Sequence, residues 1–463
     1  MRHNDPPGET DMRPSTLPYQ EFHRPLFHFT ARQGWLNDPN GLVFHDGEYH
    51  LFFQHNPESV YWGNLSWGHA VSTDLLHWKE LQPALYPDDL GTIFSGSAVE
   101  DTQNTSGFQE NVNAPLVAVY TSAGAFVTPS KPYTQSIAFS TDRGRTWQKY
   151  EHNPVLAHVE GNNRDPRVFW HAESRHWVMV LYLADDRFGI FRSRDLRDWT
   201  QCSEHRLTGD HECPDLFALP VDNEAGNQKW VFWGGHSSYQ VGVFDGMHFS
   251  AESDVIKAQL GAHGKAAQTF NNIPTEDGRC IQISWMRGGQ YPRMPFNQQL
   301  TFPVALELRS TTNGPRLFRW PVREIEKLVF AEENTREDIR VAPHQSHSPA
   351  SQHDAMDIEL LWDLRECEEG GFRIYGNDLV YRKNDETLSF EGHDFQLPLR
   401  NGRLPLRLLI DRTSLEVFAY EGEFTASYCF IPQAGEEIFR AWCRRGEIKL
   451  SGVSVRHLSS IWT

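Results

Sequence analysis

The sequence predicts an all-β protein in which a β-propeller is followed by a C-terminal β-sandwich. Three observations support this prediction. Short apolar runs alternate with Gly- and Asp-containing turns from about residue 27 to 323, and no amphipathic helix interrupts them. A phrase of the form Ser-x-Asp, followed by a turn and a Trp, recurs within that span. After a charged stretch rich in His, Ser and Pro, strand patterns return near the C-terminus, as in a β-sandwich.

The recurring phrase favours a propeller over the other all-β architectures. Its copies lie at 72–78, 140–147 and 193–199, with a weaker echo at 244–249. The three strong copies begin 68 and then 53 residues apart, a period that fits one four-stranded blade with a loop. We interpret the phrase as structural: the Asp closes a hairpin turn, and the Trp packs between blades.

Changes in composition divide the chain into four predicted segments. Residues 1–21 are polar and Pro-rich and are expected to form a loose N-terminal tail. Residues 22–322 are predicted to form the propeller and residues 353–463 the sandwich. Between them, 323–352 is predicted to be a linker with a short helix near its start.

The charge balance argues against two classes of partner. The 463 residues contain 43 Lys and Arg against 61 Asp and Glu, a net charge of −18, which disfavours binding to nucleic acid or to an anionic membrane. The sequence has no apolar run long enough to span a membrane, and its first 20 residues lack the apolar core of a secretory signal. The chain as written is therefore predicted to be cytoplasmic, or secreted or periplasmic if a signal has been removed.

The cysteines are scattered, and none forms a Cys-x-x-Cys pair. This spacing predicts reduced thiols and argues against a disulfide framework or a metal site. The six cysteines are Cys202, Cys213, Cys280, Cys367, Cys429 and Cys443.

Three short phrases each place an acid beside or near a proline, ahead of apolar strand residues. They contain Asp38, Asp165 and Glu212. In a propeller the innermost strand of every blade faces one central funnel, so phrases from different blades would bring three carboxylates together. Each acid alone is equally typical of a turn or a salt bridge, and Asp165, with Arg164 and Arg167 nearby, is the strongest case for that alternative.

Clustered carboxylates, without a phosphate loop, a His triad or a metal set, are what glycoside hydrolysis requires. One carboxylate must be ionised to attack or stabilise an oxocarbenium-like centre, and another must hold a proton for the leaving oxygen. Burial and mutual repulsion separate the pKa values of such groups.

The chain resembles glycoside hydrolase family 32, the β-fructofuranosidases, which include invertases, levanases and exo-inulinases. The phrases that carry the resemblance include Trp-Leu-Asn-Asp-Pro-Asn-Gly, Arg-Asp-Pro and Glu-Cys-Pro-Asp. The matching segments run in family order over roughly residues 22 to 460, at 35–41, 53–57, 62–70, 94–99, 164–166, 212–215, 410–412 and 416–418. The resemblance implies a five-bladed propeller with a β-sandwich, a retaining double displacement, and neither a cofactor nor a metal.

By position, the resemblance implies a role for each of the three acids. Asp38 would be the nucleophile that attacks the anomeric carbon of fructose. Glu212 would be the acid that protonates the leaving oxygen and then the base that activates water. Asp165, kept ionised by Arg164, would stabilise the transition state. The residues implied to line the fructose pocket are Asn37, Gln54, Trp62, Phe94, Ser95, Arg164 and Trp285.

The implied substrate is a fructose-containing oligo- or polysaccharide, or sucrose. Segments 84–96, 104–108 and 294–299 are more similar to levanases and exo-inulinases than to plant invertases. We therefore expect an exo-enzyme that releases terminal fructose from fructans and also cleaves sucrose. Three alternatives stay open on the same scaffold: a fructosyltransferase, a sucrose-preferring invertase and a catalytically inactive fructan-binding protein. An arabinanase is disfavoured by the phrases at 37–41 and 212–215.

Two departures from the family pattern affect the site. His211 stands where the family usually has Trp, and 263–268 replaces a segment that is usually rich in aromatic residues. We hypothesise that His211 tunes Glu212, whereas the loss of aromatic rings leaves the preferred linkage and chain length open. Five other polar residues are interpreted as structural or supporting rather than catalytic: His55, His69, Asp215, Asp411 and Glu416.

Overall fold

The computed structural model describes residues 18–110, 112–348 and 351–462. Its N-terminal part is a five-bladed β-propeller and its C-terminal part is a β-sandwich, which confirms the predicted fold class. Most of the predicted N-terminal tail, residues 1–17, lies outside the described residues. In the part of the chain that is described, no helix is long and apolar enough to cross a membrane.

Each of the five blades is an antiparallel sheet, and the blades follow one another along the chain. The first blade contains β1 (Gly34–His45), β2 (Glu48–Asn56), β3 (Ser66–Ser72) and β4 (Lys79–Glu80). The second contains β5 (Thr92–Glu100), β6 (Leu116–Ala123), β7 (Tyr133–Ser140) and β8 (Gln148–Lys149), with a 3₁₀ helix at Gly124–Phe126. The third contains β9 (Arg164–His171), β10 (His176–Ala184), β11 (Arg187–Ser193) and β12 (Thr200–Arg206).

The last two blades complete the ring. The fourth contains β13 (Asp215–Pro220), β14 (Gln228–Trp233), β15 (Ser238–Phe244), β16 (Phe249–Ala251) and β17 (Ile256–Lys257). The fifth contains β18 (Lys265–Thr269), β19 (Cys280–Met286), β21 (Gln299–Leu300), β22 (Val304–Arg309) and β23 (Arg316–Pro321), and β20 (Phe296–Asn297) lies between β19 and β21 in the sequence. β20 pairs in parallel with β1, so the end of the propeller closes on its beginning.

The recurring Ser-x-Asp phrase closes a turn in each of the first three blades, as predicted. The Asp carboxylates, at 74, 142 and 195, accept backbone N–H groups from the turn that follows. The indole N–H of each following Trp donates to a turn carbonyl at 3.0 or 3.1 Å. Trp147 also packs edge-on against Phe52 of the first blade, with ring centroids 5.3 Å apart, so this Trp lies between blades.

The sandwich consists of a seven-stranded and a six-stranded sheet that enclose a separate apolar core. The seven-stranded sheet contains β24 (Val329–Asn334), β25 (Ile339–Val341), β27 (Met356–Asp363), β32 (Arg403–Asp411), β33 (Ser414–Ala419), β34 (Phe424–Cys429) and β36 (Ile448–Leu458). The six-stranded sheet contains β26 (Ser346–His347), β28 (Cys367–Ile374), β29 (Asn377–Arg382), β30 (Thr387–Phe390), β31 (His393–Gln396) and β35 (Phe439–Gly446). A 3₁₀ helix at Tyr420–Gly422 follows β33.

The segment predicted to be a linker, 323–352, belongs instead largely to the sandwich. It begins with a 3₁₀ helix, Arg323–Leu328, where a short helix was expected. β24 and β25 then pair with β36, and β26 pairs with β35. The prediction failed because β24 and β26 are mostly exposed, β25 has only three residues, and the partners of all three strands lie in distant parts of the sequence.

A buried imidazole fastens the N-terminal segment and the fifth blade to the sandwich. His28 Nδ1 lies 2.9 Å from Asp411 Oδ2, and Nε2 lies 2.9 Å from Glu416 Oε1. Asp411 also accepts the backbone N–H groups of residues 26 and 27, and Glu416 accepts that of Phe302. Asp411 and Glu416 therefore join the two parts of the molecule, which agrees with their structural interpretation.

Replacing His28 is expected to weaken this junction in a pH-dependent way. Burial alone would lower the pKa of His28, but the hydrogen bonds and the charges of Asp411 and Glu416 outweigh it and raise the pKa to about 9. Since this folded-state value exceeds the ordinary value of 6.5, the charged ring stabilises the fold fully below pH 6.5, and the stabilisation is lost as the pH rises through about 9. The contribution at low pH is about 3 kcal/mol.

Urea unfolding of the wild type and His28→Gln, at about pH 6 and about pH 9.5, checks this expectation. The difference in unfolding free energy between the two proteins should be clearly larger at the lower pH. His152→Gln, which changes a ring that is 71% exposed, is the control and should behave as the wild type does. An equal difference at both pH values would contradict the assignment.

Candidate active site

A cavity of 690 Å³ opens among the innermost strands of the propeller. It is lined by residues of β1, β2, β5, β9 and β19 and of the loop that precedes β13. All ten residues predicted for the site lie on its wall: Asn37, Asp38, Gln54, Trp62, Phe94, Ser95, Arg164, Asp165, Glu212 and Trp285.

Irregular strand pairing turns side chains of three of the motif segments, 35–41, 94–99 and 164–166, toward the cavity. The register of β1 against β2 shifts between Leu36 and Pro39, at the position of Asp38. The register of β5 against β6 shifts between Ile93 and Gly96, at Phe94 and Ser95, and the pairing of β9 with β10 skips Asp165 in the same way. Such bulges turn a side chain out of the regular alternation of the strand.

Two of the acids have backbone conformations that residues other than glycine rarely adopt. Asp165 has a φ of 63° and Glu212 a φ of 61°, both in the left-handed region. Left-handed geometry at non-glycine residues costs free energy, and it persists where the surrounding structure enforces it, often at functional sites.

Asp38 lines the cavity and is held by side-chain donors. The Ser95 hydroxyl donates to Asp38 Oδ2 at 2.6 Å, and the Cys213 thiol donates to the same oxygen at 3.6 Å. Burial raises the pKa of Asp38, and the nearby charge of Glu212 raises it further, whereas the hydrogen bonds from Ser95 and Asn37 oppose the rise. The carboxylate is thus held in position on the cavity wall.

Asp165 shares the Cys213 donor with Asp38. Its Oδ2 accepts the Cys213 backbone N–H at 3.1 Å and the Cys213 thiol at 3.4 Å, and Arg164 Nε lies 3.7 Å away. Burial, opposed by Arg164 and supported by the charges of Asp38 and Glu212, raises the pKa of Asp165 to about 7. The sequence analysis expects Arg164 to keep Asp165 ionised; its guanidinium opposes the rise in the pKa of Asp165, and burial outweighs it.

Glu212 is much more solvent-exposed than Asp165. Its side chain is 40% exposed, against 6% for Asp165. Glu212 Oε1 lies 3.2 Å from Arg164 Nη2 and 3.3 Å from His211 Nε2, so the imidazole of His211 faces the carboxylate. The His236 ring packs edge-on against His211, with centroids 3.9 Å apart. The nitrogens of these two rings and an oxygen of Glu212 could together hold a metal ion.

Aromatic rings form one wall of the cavity. Trp62 packs edge-on against Phe94 and Phe126, with centroid distances of 6.2 and 5.5 Å. On the other side, the Trp285 indole N–H donates to Gln298 Oε1 at 3.1 Å. Flat apolar faces beside amide and carboxylate groups suit a sugar, which presents C–H groups on its faces and hydroxyls at its edges.

Comparison with known proteins assigns this arrangement to a family. Residues 28–321 match the model of the glycosyl hydrolases family 32 N-terminal domain, and residues 324–457 match that of the family's C-terminal region. The chain belongs to glycosyl hydrolase family 32. It is therefore a glycoside hydrolase, and the resemblance stated from its motifs is confirmed.

Named relatives and solved structures agree over almost the whole chain. Levanase of Bacillus subtilis (strain 168) is 36% identical, over 96% of this chain and 72% of the relative. The extracellular exo-inulinase of Aspergillus niger is 32% identical, over 96% of each chain. The crystal structure of the exo-inulinase of Aspergillus awamori is similar with a TM-score of 0.85 and 28% identity, over 96% of this chain and 100% of that one. The structure of a fructofuranosidase of Schwanniomyces occidentalis complexed with fructose is similar with a TM-score of 0.80 and 26% identity, over 96% of this chain and 100% of that one.

The structure adds contributors to this family 32 site that the sequence reasoning missed. Cys213 was recognised as part of the Glu-Cys-Pro-Asp phrase but was given no role of its own, although its place beside Glu212 was a usable signal. Tyr182 packs over the Arg164 guanidinium, with the Tyr182 ring centroid 4.6 Å away. No local signal marked this ring, because β10 brings it to the cavity only through pairing with β9.

The segment that lacks the family's usual aromatic residues has two functions in this fold. Its end belongs to β18, where Gln268 accepts the Leu42 N–H and donates to the Gly96 carbonyl, joining the first two blades. Its middle residues, Lys265 and Ala266, line a recess beside Glu212. His236 and Arg287 line the same recess. Cationic and imidazole groups therefore border the acid on this side of the family 32 site.

A buried polar network supports the acids from below. Arg167 Nε lies 2.7 Å from Asp215 Oδ1, and both side chains are almost fully buried. Arg167 also donates to the Thr269 carbonyl and hydroxyl and to Asn271 Oδ1, each at 2.9 Å. Asn271 in turn donates to backbone carbonyls of the second and third blades, and its own backbone pairs with the first. Asp215 thus supports the site, as interpreted from the sequence.

Removing the cation of this network should destabilise the propeller strongly. Arg167→Met leaves the Asp215 carboxylate buried without its cation, which typically costs about 3–5 kcal/mol. The midpoint and slope of urea unfolding measure the loss. Arg167→Met/Asp215→Leu, which removes both charges, should recover part of the stability, and Arg187→Met, at an exposed ion pair, should change little. A loss for Arg167→Met no larger than that of Arg187→Met would contradict the role of the network.

Proposed function

We propose that the protein is a retaining, exo-acting β-fructofuranosidase that releases terminal fructose from fructans and also cleaves sucrose. The observation that carries the proposal is the convergence of Asp38, Asp165 and Glu212, from different blades, on one aromatic-walled cavity. Paired carboxylates on such a wall are the equipment of a retaining glycosidase.

In the first step Asp38 attacks the anomeric carbon of the fructosyl unit. Glu212 donates a proton to the glycosidic oxygen, the carbon–oxygen bond breaks, and the leaving group departs as an alcohol. The hydrogen bond from Ser95 holds Asp38 in place for this attack. Asp165 binds fructose hydroxyls and stabilises the positive charge that develops on the ring.

In the second step water releases fructose from Asp38. Glu212, now a carboxylate, takes a proton from the water as it attacks the same carbon, so the configuration is retained. The partial exposure of Glu212 supports this role, because both the incoming water and the departing alcohol must reach it. The remaining polar and aromatic residues on the cavity wall bind and orient the fructosyl unit.

The names of the relatives support the substrate class. Levanase and exo-inulinase are named for fructose polymers, and a structure of similar fold is complexed with fructose. The presence of all three acids disfavours an inactive binding protein, and the named relatives favour hydrolysis over transfer. The Aspergillus exo-inulinases are named extracellular, which supports the secreted alternative for the compartment over the cytoplasmic one.

Product analysis tests the reaction and the two main roles. Wild type incubated with inulin, levan and sucrose should release free fructose from the polymers, without short fructo-oligosaccharides, when the products are resolved by chromatography over time. Asp38→Asn should lose about 10⁴-fold or more in kcat, since no covalent intermediate can form. Glu212→Gln should lose about 10²–10⁴-fold on natural substrates.

A substrate with an activated leaving group separates the two roles. The phenolate of an aryl β-D-fructofuranoside leaves without protonation. Glu212→Gln should therefore form the fructosyl intermediate quickly and hydrolyse it slowly. Asp38→Asn should do neither. Short oligosaccharides from the polymers would indicate endo-cleavage, and lengthened products would indicate transfer. Either result would overturn the exo-hydrolase proposal, as would activity that survives in Asp38→Asn.

The hypothesis that His211 tunes Glu212 predicts a change in the pH–rate profile. The His211 imidazole lies 3.3 Å from Glu212 Oε1, close enough to form a hydrogen bond that favours one protonation state of the carboxyl group. His211→Trp, which restores the residue usual in the family, should therefore displace a limb of the profile of kcat/KM against pH. His152→Gln, far more exposed, should leave the profile unchanged. If His211→Trp also leaves it unmoved, His211 has no such role.

A further inference from the structure

Two histidines meet the proposed acid/base at the rim of the cavity. His211, Glu212 and His236 each present one ligand atom, and these three atoms lie within 4.8 Å of one another. No other group of three or more potential metal ligands meets that spacing among the described residues. The sequence predicted no metal site, because His236 lies 24 residues beyond Glu212 and shares no motif with it.

One buried carboxylate fixes the backbone of both histidines. Asp210, 1% exposed, accepts the backbone N–H of His211 at 2.8 Å and that of His236 at 2.7 Å. It accepts the N–H of Ser238 as well, at 2.7 Å. In addition, the Gly235 N–H donates to the Glu212 carbonyl at 2.9 Å. The backbones of all three residues are therefore tied together before any ligand arrives.

The spacing suits a small tetrahedral ion. Two ligands held at 2.0–2.2 Å in tetrahedral geometry lie roughly 3.3–3.6 Å apart. His211 Nε2 and Glu212 Oε1 are already 3.3 Å apart. The His236 ring has no hydrogen-bond partner among the described residues, and its ligand nitrogen lies within 4.8 Å of the other two ligand atoms, which gives a set of two imidazoles and one carboxylate. Three protein ligands leave a fourth position for water.

Neighbouring charges decide which ions the site would accept. Arg164 Nη2 lies 3.2 Å from Glu212 Oε1, and Lys265 and Arg287 line the recess beside His236. These cations oppose an ion held only by oxygen, such as Mg²⁺ or Ca²⁺. An ion that binds imidazole strongly, such as Zn²⁺ or Cu²⁺, gains enough from two nitrogens to compete.

We propose that His211, Glu212 and His236 form a binding site for a divalent transition-metal ion such as Zn²⁺, and that the bound ion inhibits the enzyme. The inhibition rests on the proposed function, because a metal-bound Glu212 can neither donate a proton nor accept one. His211, the residue that replaces the usual Trp, supplies one of the ligands. Proteins of the family with Trp at this position would lack the site.

Calorimetric titration of the chelator-treated full-length protein with ZnCl₂ tests binding without reference to catalysis. Wild type should bind one equivalent, and Co²⁺ should give the visible absorption of a four-coordinate ion. His211→Gln and His236→Gln should each weaken Zn²⁺ binding at least tenfold. His152→Gln is the matched control, because it also removes a histidine beside a glutamate, and it should bind Zn²⁺ as the wild type does. Thermal unfolding of each variant checks that it is folded.

The activity assay is run in parallel. Zn²⁺ should inhibit fructose release by the wild type, EDTA should reverse the inhibition, and Mg²⁺ at the same concentration should have no effect. Asp38→Asn should still bind Zn²⁺ even though it releases no fructose, so failure of the proposed function would not hide the metal site. Absence of Zn²⁺ binding to an active wild type would overturn the metal proposal, as would unchanged binding in both His211→Gln and His236→Gln.

Discussion

The Arg167–Asp215 ion pair lies at the centre of the propeller, and the rest of the site depends on it. Arg167 follows Asp165 by two residues, and Asp215 follows Glu212 by three, so one buried contact sets the position of two acidic phrases. Its 2.7 Å separation and its hydrogen bonds to Thr269 and Asn271 connect the third, fourth and fifth blades. A shift in strand register would break this pair and leave an unpaired charge at this depth. Because such a charge is costly, the pair holds the strands in register.

Above that pair the cavity concentrates negative charge with little water to screen it. Asp38 and Asp165 share the Cys213 thiol as a donor, and Arg164 lies between Asp165 and Glu212. Burial raises the pKa values of Asp38 and Asp165, while Glu212 stays open to solvent at the rim. The same fold therefore provides two desolvated carboxylates and one accessible carboxylate, as a double displacement requires.

The sandwich is attached to the propeller through polar contacts that apolar packing alone would not specify. His28 lies between Asp411 and Glu416, and those two acids also hold backbone N–H groups from the propeller side. Gln259 of the fourth blade's final loop donates to Ser427 in the sandwich, and the Cys429 N–H donates to His263 Nδ1. The 263–268 segment thus lies between the active site and the sandwich.

The sequence by itself determined the all-β class, the Asp-closed turns of the blades and the identity of the ten cavity residues, because short motifs report local geometry and family membership directly. It did not determine that β24, β25 and β26 join the sandwich, since their hydrogen-bond partners lie in distant strands. Only the tertiary structure decided that burial outweighs Arg164 at Asp165, because desolvation depends on everything packed around a group. The tertiary structure alone also placed His236 beside His211, where a single buried carboxylate, Asp210, holds two loops that are unrelated in the sequence.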